Sequence, residues 1–282
     1  MSQRQVDARG KLRTHGRHRK YGTHGMHGTR PIDVLFAARW LARWSAHKPL
    51  FLFDFDGTLA PLQPQRDAVV LADALRIDLR RLARRWPVAV VSGRGLADLR
   101  ARLGRGAWRS YGSHGAEGLG GPHARRTQAA FAPTRRWCAD QRDALLREGL
   151  VWEDKCFCAA LHAGPGVDLH RALGWLLSCG LGPAVRIEAG HRVINLTAAG
   201  TPDKGAAARH ALRCSGAEAL LVWGDDGNDE PAFDVARRHG AGFRVGPPAT
   251  ASAANWQLDD PRAVHRLVRR LARMRRAGGA SA

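Results

Sequence analysis

Three short apolar runs in this chain stop abruptly, and each stops in small, acidic or hydroxyl-bearing residues. Leu50–Phe53 ends in Asp54-Phe55-Asp56-Gly57-Thr58, and Val88–Val91 ends in Ser92-Gly93-Arg94. Ala219–Trp223 ends in Gly224-Asp225-Asp226-Gly227-Asn228-Asp229-Glu230. Continuous apolar runs of four or five residues are how strands buried on both faces read, and such strands belong to parallel sheets. Helical spacing lies between them: Leu71, Leu75, Leu79 and Leu82 within 69–85, then 96–103, 203–213, 231–239 and 261–276. Trp108–Tyr111 and Gly242–Val245 add two more strands. Strands alternating with helices predict an α/β fold, a parallel sheet with right-handed crossovers. Ligands of open α/β sheets sit beyond the carboxyl ends of the strands, where all three clusters fall.

Residues 123–199 break the alternation. They read as a helix at about 134–148, strand-like stretches at 150–162 and 184–197, and a helix at 168–179. We therefore expect a discontinuous core, 49–122 plus 200–282, with a small α+β cap inserted at 123–199. Cys156 and Cys158 alternate in the first of those strand-like stretches and are read as packing residues. Residues 31–46 can form an amphipathic helix with Leu35, Trp40, Leu41 and Trp44 on its apolar side. Residues 1–30 have almost no large apolar side chains and cannot offset the entropy of ordering, so disorder is expected there. The pairs His15/His18 and His24/His27 have metal-like spacing but no further ligands around them, and no metal site is expected.

The formal net charge of +20 invites a nucleic-acid reading, but its distribution argues otherwise. Residues 1–48 carry a net +9, residues 261–282 a net +7, and the whole of 49–260 only +4. Seven arginines lie between 262 and 276 on a helix whose other side, Val264, Leu267, Val268 and Leu271, suits packing on a core. The aromatics do not interleave with that basic row, so nucleic acid is not the expected partner. No apolar run reaches the length of a membrane span, and the first 30 residues hold no signal-peptide apolar region. Five cysteines without a CxxC pair fit a reducing, cytoplasmic setting. Of the 45 basic residues only five are lysine, and only Lys155 and Lys204 lie inside the balanced middle.

The clusters carry chemistry of their own. Asp54 and Asp56 directly follow a buried strand, where unpaired carboxylates cost several kcal/mol; a divalent cation is the natural compensation. Magnesium, which favours hard oxygen ligands, waters and a substrate phosphate, suits the set. The Ser92-Gly93-Arg94 turn can hold a phosphoryl group with a hydroxyl and backbone N–H groups. Thr201-Pro202-Asp203-Lys204-Gly205 opens a helix with Thr201 as the capping residue and Pro202 at the first position. A lysine in a first turn opposes the helix dipole unless it faces an anion. The acidic run 225–230 sits where it can complete a metal site.

These elements, in this order, resemble the haloacid dehalogenase superfamily of phosphohydrolases, whose fold is a Rossmannoid parallel-sheet core with an inserted cap. The resemblance narrows with Tyr111-Gly112-Ser113-His114-Gly115-Ala116-Glu117, Glu153-Asp154-Lys155, Leu161-His162 and Gly224–Glu230, which look like motifs of the trehalose-6-phosphate phosphatase family. It implies Asp54 as the nucleophile and Asp56 as the acid and base. Ser92 and Lys204 would stabilise the phosphoryl oxygens. Magnesium would be held by Asp54, the Asp56 carbonyl, Asp225 and Asp229, with Asp226 in support. Gly93, Arg94, His114, Glu117, Glu153, Lys155 and His162 would bind substrate. The implied reaction is release of phosphate from trehalose 6-phosphate, with no macromolecular partner and a monomeric state expected. Asn195 and Thr197 stand where the family carries an acid and a base, and Ala163-Gly164 where it carries an aromatic residue and an arginine. Those departures keep a different sugar phosphate open as the substrate, and a polyanion-binding role of the basic ends is a further alternative.

Overall fold

The computed structural model describes residues 29–44, 48–63, 65–181, 184–190, 192–248 and 251–274. The disorder expected for 1–30, the two histidine pairs, Arg275 and Arg276 therefore fall, apart from Thr29 and Arg30, outside the described residues.

In chain order the elements begin with β1 (Arg30–Pro31), α1 (Val34–Trp44), β2 (Pro49–Asp54), α2 (Asp73–Ala83), β3 (Val88–Val91), α3 (Leu96–Leu103) and β4 (Trp108–Tyr111). An insert follows: α4 (Gly121–Asp140), α5 (Arg142–Arg147), β5 (Leu150–Asp154), β6 (Cys158–Ala163), α6 (Leu169–Ser178), β7 (Val185–Gly190) and β8 (Val193–Ala198). The chain then returns with α7 (Lys204–Ser215), β9 (Ala219–Gly224), α8 (Glu230–His239), β10 (Gly240–Val245), β11 (Trp256–Leu258) and α9 (Pro261–Arg273).

The first and last groups build one seven-stranded sheet, order β1-β11-β10-β9-β2-β3-β4, with every neighbouring pair parallel. The apolar runs lie at its centre, since β2, β3 and β9 are buried along their whole length. Register places Phe53 opposite Trp223 and Asp54 opposite Val91. All three runs thus end on one edge, and their clusters converge there. Leu75, Leu79 and Leu82 of α2, Leu99 and Leu103 of α3, and Val264, Leu267, Val268 and Leu271 of α9 cover one face. Ala207, Ala208 and Ala211 of α7 with Phe233 and Ala236 of α8 cover the other. On the first face the rings of Phe53, Trp223 and Phe243 stack in sequence, with centroids 4.8 and 4.6 Å apart. On α9, Arg262, Arg266, Arg269, Arg270 and Arg273 are exposed.

The insert forms a separate antiparallel sheet, order β5-β6-β8-β7. Its side chains alternate as the pleat requires. Leu161, Ile194 and Leu196 face a core with Phe131, Leu145 and Leu176 of α4–α6. Glu153, His162, Asn195 and Thr197 take the intervening positions, and the register lines Glu153 up with Ala160 and Ala160 with Asn195.

Several expected elements differ. The helix expected at 134–148 is two helices: α4 starts at Gly121, runs through Pro133 and ends at Asp140, and α5 follows Gln141. A proline inside a helix removes a backbone donor, which makes such a helix hard to read from sequence. Cys156 is not a packing residue: it is exposed, in the turn before β6, at φ 65°, whereas Cys158 is buried. β1 and β11, two and three residues long, escape periodicity altogether. Among the described residues no helix is long and apolar enough to cross a membrane.

Candidate active site

Asp54 is the last residue of β2, and Asp225 follows directly on β9, so adjacent parallel strands deliver both carboxylates to one edge. Asp229 lies in the one-turn helix that follows, 1 % exposed; its Oδ2 accepts from the Asp226 N–H at 3.0 Å while Asp226 caps the same turn. One oxygen from each of Asp54, Asp225 and Asp229 lies within 4.8 Å of the others. Two glycines make the approach possible. A Cβ on Gly57, which sits at φ 81°, would overlap the Asp225 carboxylate, and one on Gly224 would overlap that of Asp229.

Among the described residues Lys204 supplies a cation between two of these acids, its Nζ donating to Asp54 Oδ1 at 2.6 Å and to Asp229 Oδ1 at 2.7 Å. It is the first residue of α7, and the cap is Asp203, whose side chain accepts from the Ala206 N–H at 2.8 Å. The cap is therefore not Thr201: a carboxylate two residues later wins the helix end, which moves Lys204 to the first position.

Burial pushes the Asp54 carboxyl well above its ordinary range, Lys204 opposes this, and Asp229 and Asp225 reinforce it. Burial, with Asp229 close by, lifts Asp225 to about 7. Burial works against the Lys204 ammonium, yet Asp229 and Asp54 outweigh it and raise its pKa. Three carboxylates share one ammonium, so the site is short of positive charge. A hard divalent cation fits that donor set, oxygen-only and strongly anionic.

Asp56 lies to one side. Its carboxylate receives Arg94 Nε at 2.8 Å on Oδ2 and Arg94 Nη2 at 2.7 Å on Oδ1, with Ser92 Oγ 3.4 Å from Oδ2. Arg94 is 1 % exposed, and its Nη1 donates to Asp98 at 2.9 Å. Gly93 leaves room for the His114 ring, which would collide with a Cβ there. His114 and Ser113 both adopt positive φ, 56° and 48°. Glu117 points into the structure, its Oε1 accepting from Ser113 Oγ at 2.6 Å and from the Leu96 N–H at 3.2 Å. That gives it a clear part in fixing the loop after β4 against the start of α3.

From the antiparallel unit, Lys155 reaches across to the parallel one: its Nζ donates to the Gly93 carbonyl at 2.9 Å. Glu153 stands beside it, 3.8 Å from the same nitrogen and 2.7 Å from His162 Nε2. The structure thus brings Asp54, Asp225, Asp229 and Lys204 into one cluster, Asp56, Ser92 and Arg94 into a second, and Glu153, Lys155 and His162 into a third. Asp98 and Arg102, which back Arg94, are not among the site residues expected from the sequence; their i, i+4 spacing on the helix expected at 96–103 is the signal that could have found them.

Residues 52–163 match the family model of trehalose-phosphatase. The chain is 35 % identical over 248 residues to the trehalose-phosphate phosphatase of Mycobacterium tuberculosis. The match is to the trehalose-phosphatase family. The match to the Mycobacterium tuberculosis relative covers 82 % of this chain and 63 % of that protein. A second family relative, the trehalose-phosphate phosphatase of Mycolicibacterium paratuberculosis, is 35 % identical over 79 % of this chain and 62 % of its own length. The chain therefore spans a little under two thirds of these curated relatives. Its fold is that of the C-terminal domain of trehalose-6-phosphate phosphatase from Candida albicans, with a TM-score of 0.67 at 19 % identity, covering 86 % of this chain and 98 % of that one. The fold is the one the motifs implied, a haloacid-dehalogenase-like parallel sheet with an inserted α+β cap.

Proposed function

We propose that the protein is a magnesium-dependent phosphatase that releases trehalose and phosphate from trehalose 6-phosphate. The observation that carries this reading is the cluster of Asp54, Asp225 and Asp229 at the ends of β2 and β9, with buried Lys204 bonded to Asp54 and Asp229. We assign 49–122 and 200–282 to the core, which β1 and α1 join from the N-terminal side, and 123–199 to the cap, whose first helix begins two residues earlier at Gly121.

Asp54 is assigned as the nucleophile: its carboxylate oxygen forms a bond to phosphorus as the sugar-oxygen bond to phosphorus breaks. Asp56 gives its proton to the departing sugar oxygen and later takes one from the water that hydrolyses the aspartyl-phosphate. Lys204 and Ser92 stabilise the phosphoryl oxygens. A magnesium ion would be held by Asp54, Asp225, Asp229 and the Asp56 carbonyl, and would supply positive charge that lets an anionic carboxylate meet an anionic phosphate. Glu153, Lys155 and His162 of the cap, with Gly93 and His114 of the core, form the sugar-facing side, and their closure excludes water. The small substrate needs no macromolecular partner. Five unpaired cysteines support a reducing, cytoplasmic setting.

Phosphate release from a panel of sugar phosphates, with and without magnesium, tests the reading. Trehalose 6-phosphate should show the highest kcat/KM, and Asp54→Asn should abolish release while leaving the fold intact. Release by Asp54→Asn at the wild-type rate overturns the mechanism. The cap favours one second reading. Asn195 and Thr197 put uncharged side chains on the face that carries Glu153 and His162, which suits a different sugar phosphate. A better substrate elsewhere in the panel selects it.

A further inference from the structure

The Arg94 guanidinium is enclosed, and three of its groups are used on two carboxylates. Nε and Nη2 grip Asp56 at 2.8 and 2.7 Å, and Nη1 holds Asp98 at 2.9 Å. Asp98 is itself fixed from the other side by Arg102 Nε at 2.8 Å, and Arg102 donates to the carbonyls of Val69 and Asp67 at 2.5 and 3.1 Å. The guanidinium carbon lies 5.7 Å from the centroid of the Phe55 ring. The Arg94 N–H donates to Ser92 Oγ at 3.1 Å, so the same residue fixes the hydroxyl beside Asp56. The Asp56 side chain remains 27 % exposed, against 1 % for Arg94. Asp56 therefore reaches the cleft and Arg94 does not.

We propose that Arg94, backed by Asp98, is a positioning residue that sets the plane of the Asp56 carboxylate for proton transfer, and not a substrate ligand. This rests on the reading of Asp56 as the proton donor to the leaving sugar oxygen. A two-toothed guanidinium grip fixes a carboxylate in orientation as well as in place, which a lysine cannot do. A proton donor must stand within hydrogen-bond reach of the atom it serves, and a misplacement of about 1 Å costs about 10²-fold. Asp98 neutralises Arg94 and, through Arg102, ties it to the segment before α2. The chain Asp56–Arg94–Asp98–Arg102 thus runs from the cleft to that segment, and each link is a charged hydrogen bond.

The test compares two leaving groups on the full-length protein with magnesium. A sugar oxygen leaves poorly without a proton, whereas 4-nitrophenolate leaves without one. Arg94→Met should lower kcat on trehalose 6-phosphate about 10²-fold, the ordinary scale of general acid catalysis, with KM little changed. With 4-nitrophenyl phosphate the readout is the pre-steady-state release of 4-nitrophenolate, which precedes the hydrolysis that also uses Asp56, and there the loss should be only a few-fold. Asp56→Asn should show the same split, and the double variant should be no slower than Asp56→Asn alone. Arg94→Lys should recover little, for want of the fork. Should Arg94→Met fail to fold, Asp98→Asn should show the same split at about tenfold. A raised KM with unchanged kcat makes Arg94 a substrate ligand and overturns the proposal. Equal losses on both substrates, or additive losses in the double variant, also overturn it. If the wild type ignores trehalose 6-phosphate but cleaves another sugar phosphate, the substrate reading falls alone, and the split is read on that sugar phosphate.

Discussion

The Lys204 ammonium lies 2.6 Å from Asp54 Oδ1, with both side chains almost wholly buried. Its other bond, to Asp229, makes it the shared counter-charge of two acids that would otherwise repel. Removing one partner of a buried ion pair strands the other, at about 3–5 kcal/mol. Lys204→Met should therefore lower the unfolding free energy by about that amount and lower kcat about 10²–10³-fold, the scale of losing one charge-stabilising donor. Magnesium should restore part of the stability, because it replaces the missing positive charge, and none of the lost phosphoryl contact. Equilibrium unfolding with and without the ion, alongside phosphate release, reads both effects.

Metal binding should itself be visible in stability. A ligand at about 100 times its dissociation constant adds about 2.7 kcal/mol to the folded state. Magnesium added to chelator-treated protein should raise Tm, and Asp225→Asn should cut that rise while leaving the Lys204 pairs to Asp54 and Asp229 in place. An unchanged rise in Asp225→Asn would remove Asp225 from the ligand set.

Gly57 and Gly224 should tolerate no side chain. Alanine at either position must displace the carboxylate of Asp225 or Asp229. Gly57→Ala also forces a residue with a Cβ into φ 81°, which adds about 1–3 kcal/mol of strain. We expect Gly224→Ala to weaken magnesium binding more than tenfold, measured by calorimetry. Alanine at Gly174, where a Cβ would meet nothing and φ is ordinary, serves as the control.

The bond from Lys155 to the Gly93 carbonyl links the cap to the core at the edge of the cleft. A hydrogen bond from a charged group contributes about 1.5–3 kcal/mol, tenfold or more in an equilibrium. Lys155→Met should raise KM for the sugar phosphate by about tenfold or more and change the rate on a small aryl phosphate far less. Initial-rate kinetics on both substrates separates closure from chemistry.

Alkaline pH offers a test at the loop that bears His114. Burial pushes the Tyr111 hydroxyl up to about 12, and its oxygen lies 2.9 Å from His210 Nδ1. A group whose folded pKa exceeds its unfolded pKa stabilises fully below the unfolded value, here about 10, and progressively less as pH rises through the folded one. Tm of the wild type should therefore fall more steeply than that of Tyr111→Phe between about pH 10 and 12. Parallel slopes would contradict this.

The part of the site legible in the sequence is the part that strands deliver directly. Asp54, Ser92 and Asp225 each follow an apolar run, and parallel register alone makes those runs end together. Lys204 was legible as an oddity, a lysine opening a helix, although the cap proved to be Asp203 and not Thr201. What the sequence hid depends on side chains folding back over distance. Arg94 meets Asp56 across 38 positions, and the inward turn of Glu117 onto Ser113 and Leu96 has no spacing rule behind it. The insert was legible as a change of pattern, but its helices were not, because Pro133 lies inside α4 and only Gln141 separates α4 from α5.

The stack of Phe53, Trp223 and Phe243 lies directly beneath the acids. Asp54 is the next residue after Phe53, and Asp225 comes two after Trp223. Close-packed aromatic rings cannot slide apart without opening a void. The strands that carry the two acids are thus clamped at a fixed separation. Mutual repulsion of the carboxylates cannot relax by splaying, and it persists as an electrostatic demand that an arriving cation satisfies. On the magnesium reading, the aromatic floor, which offers no ligand atom, in this way sets how strongly the site attracts the ion.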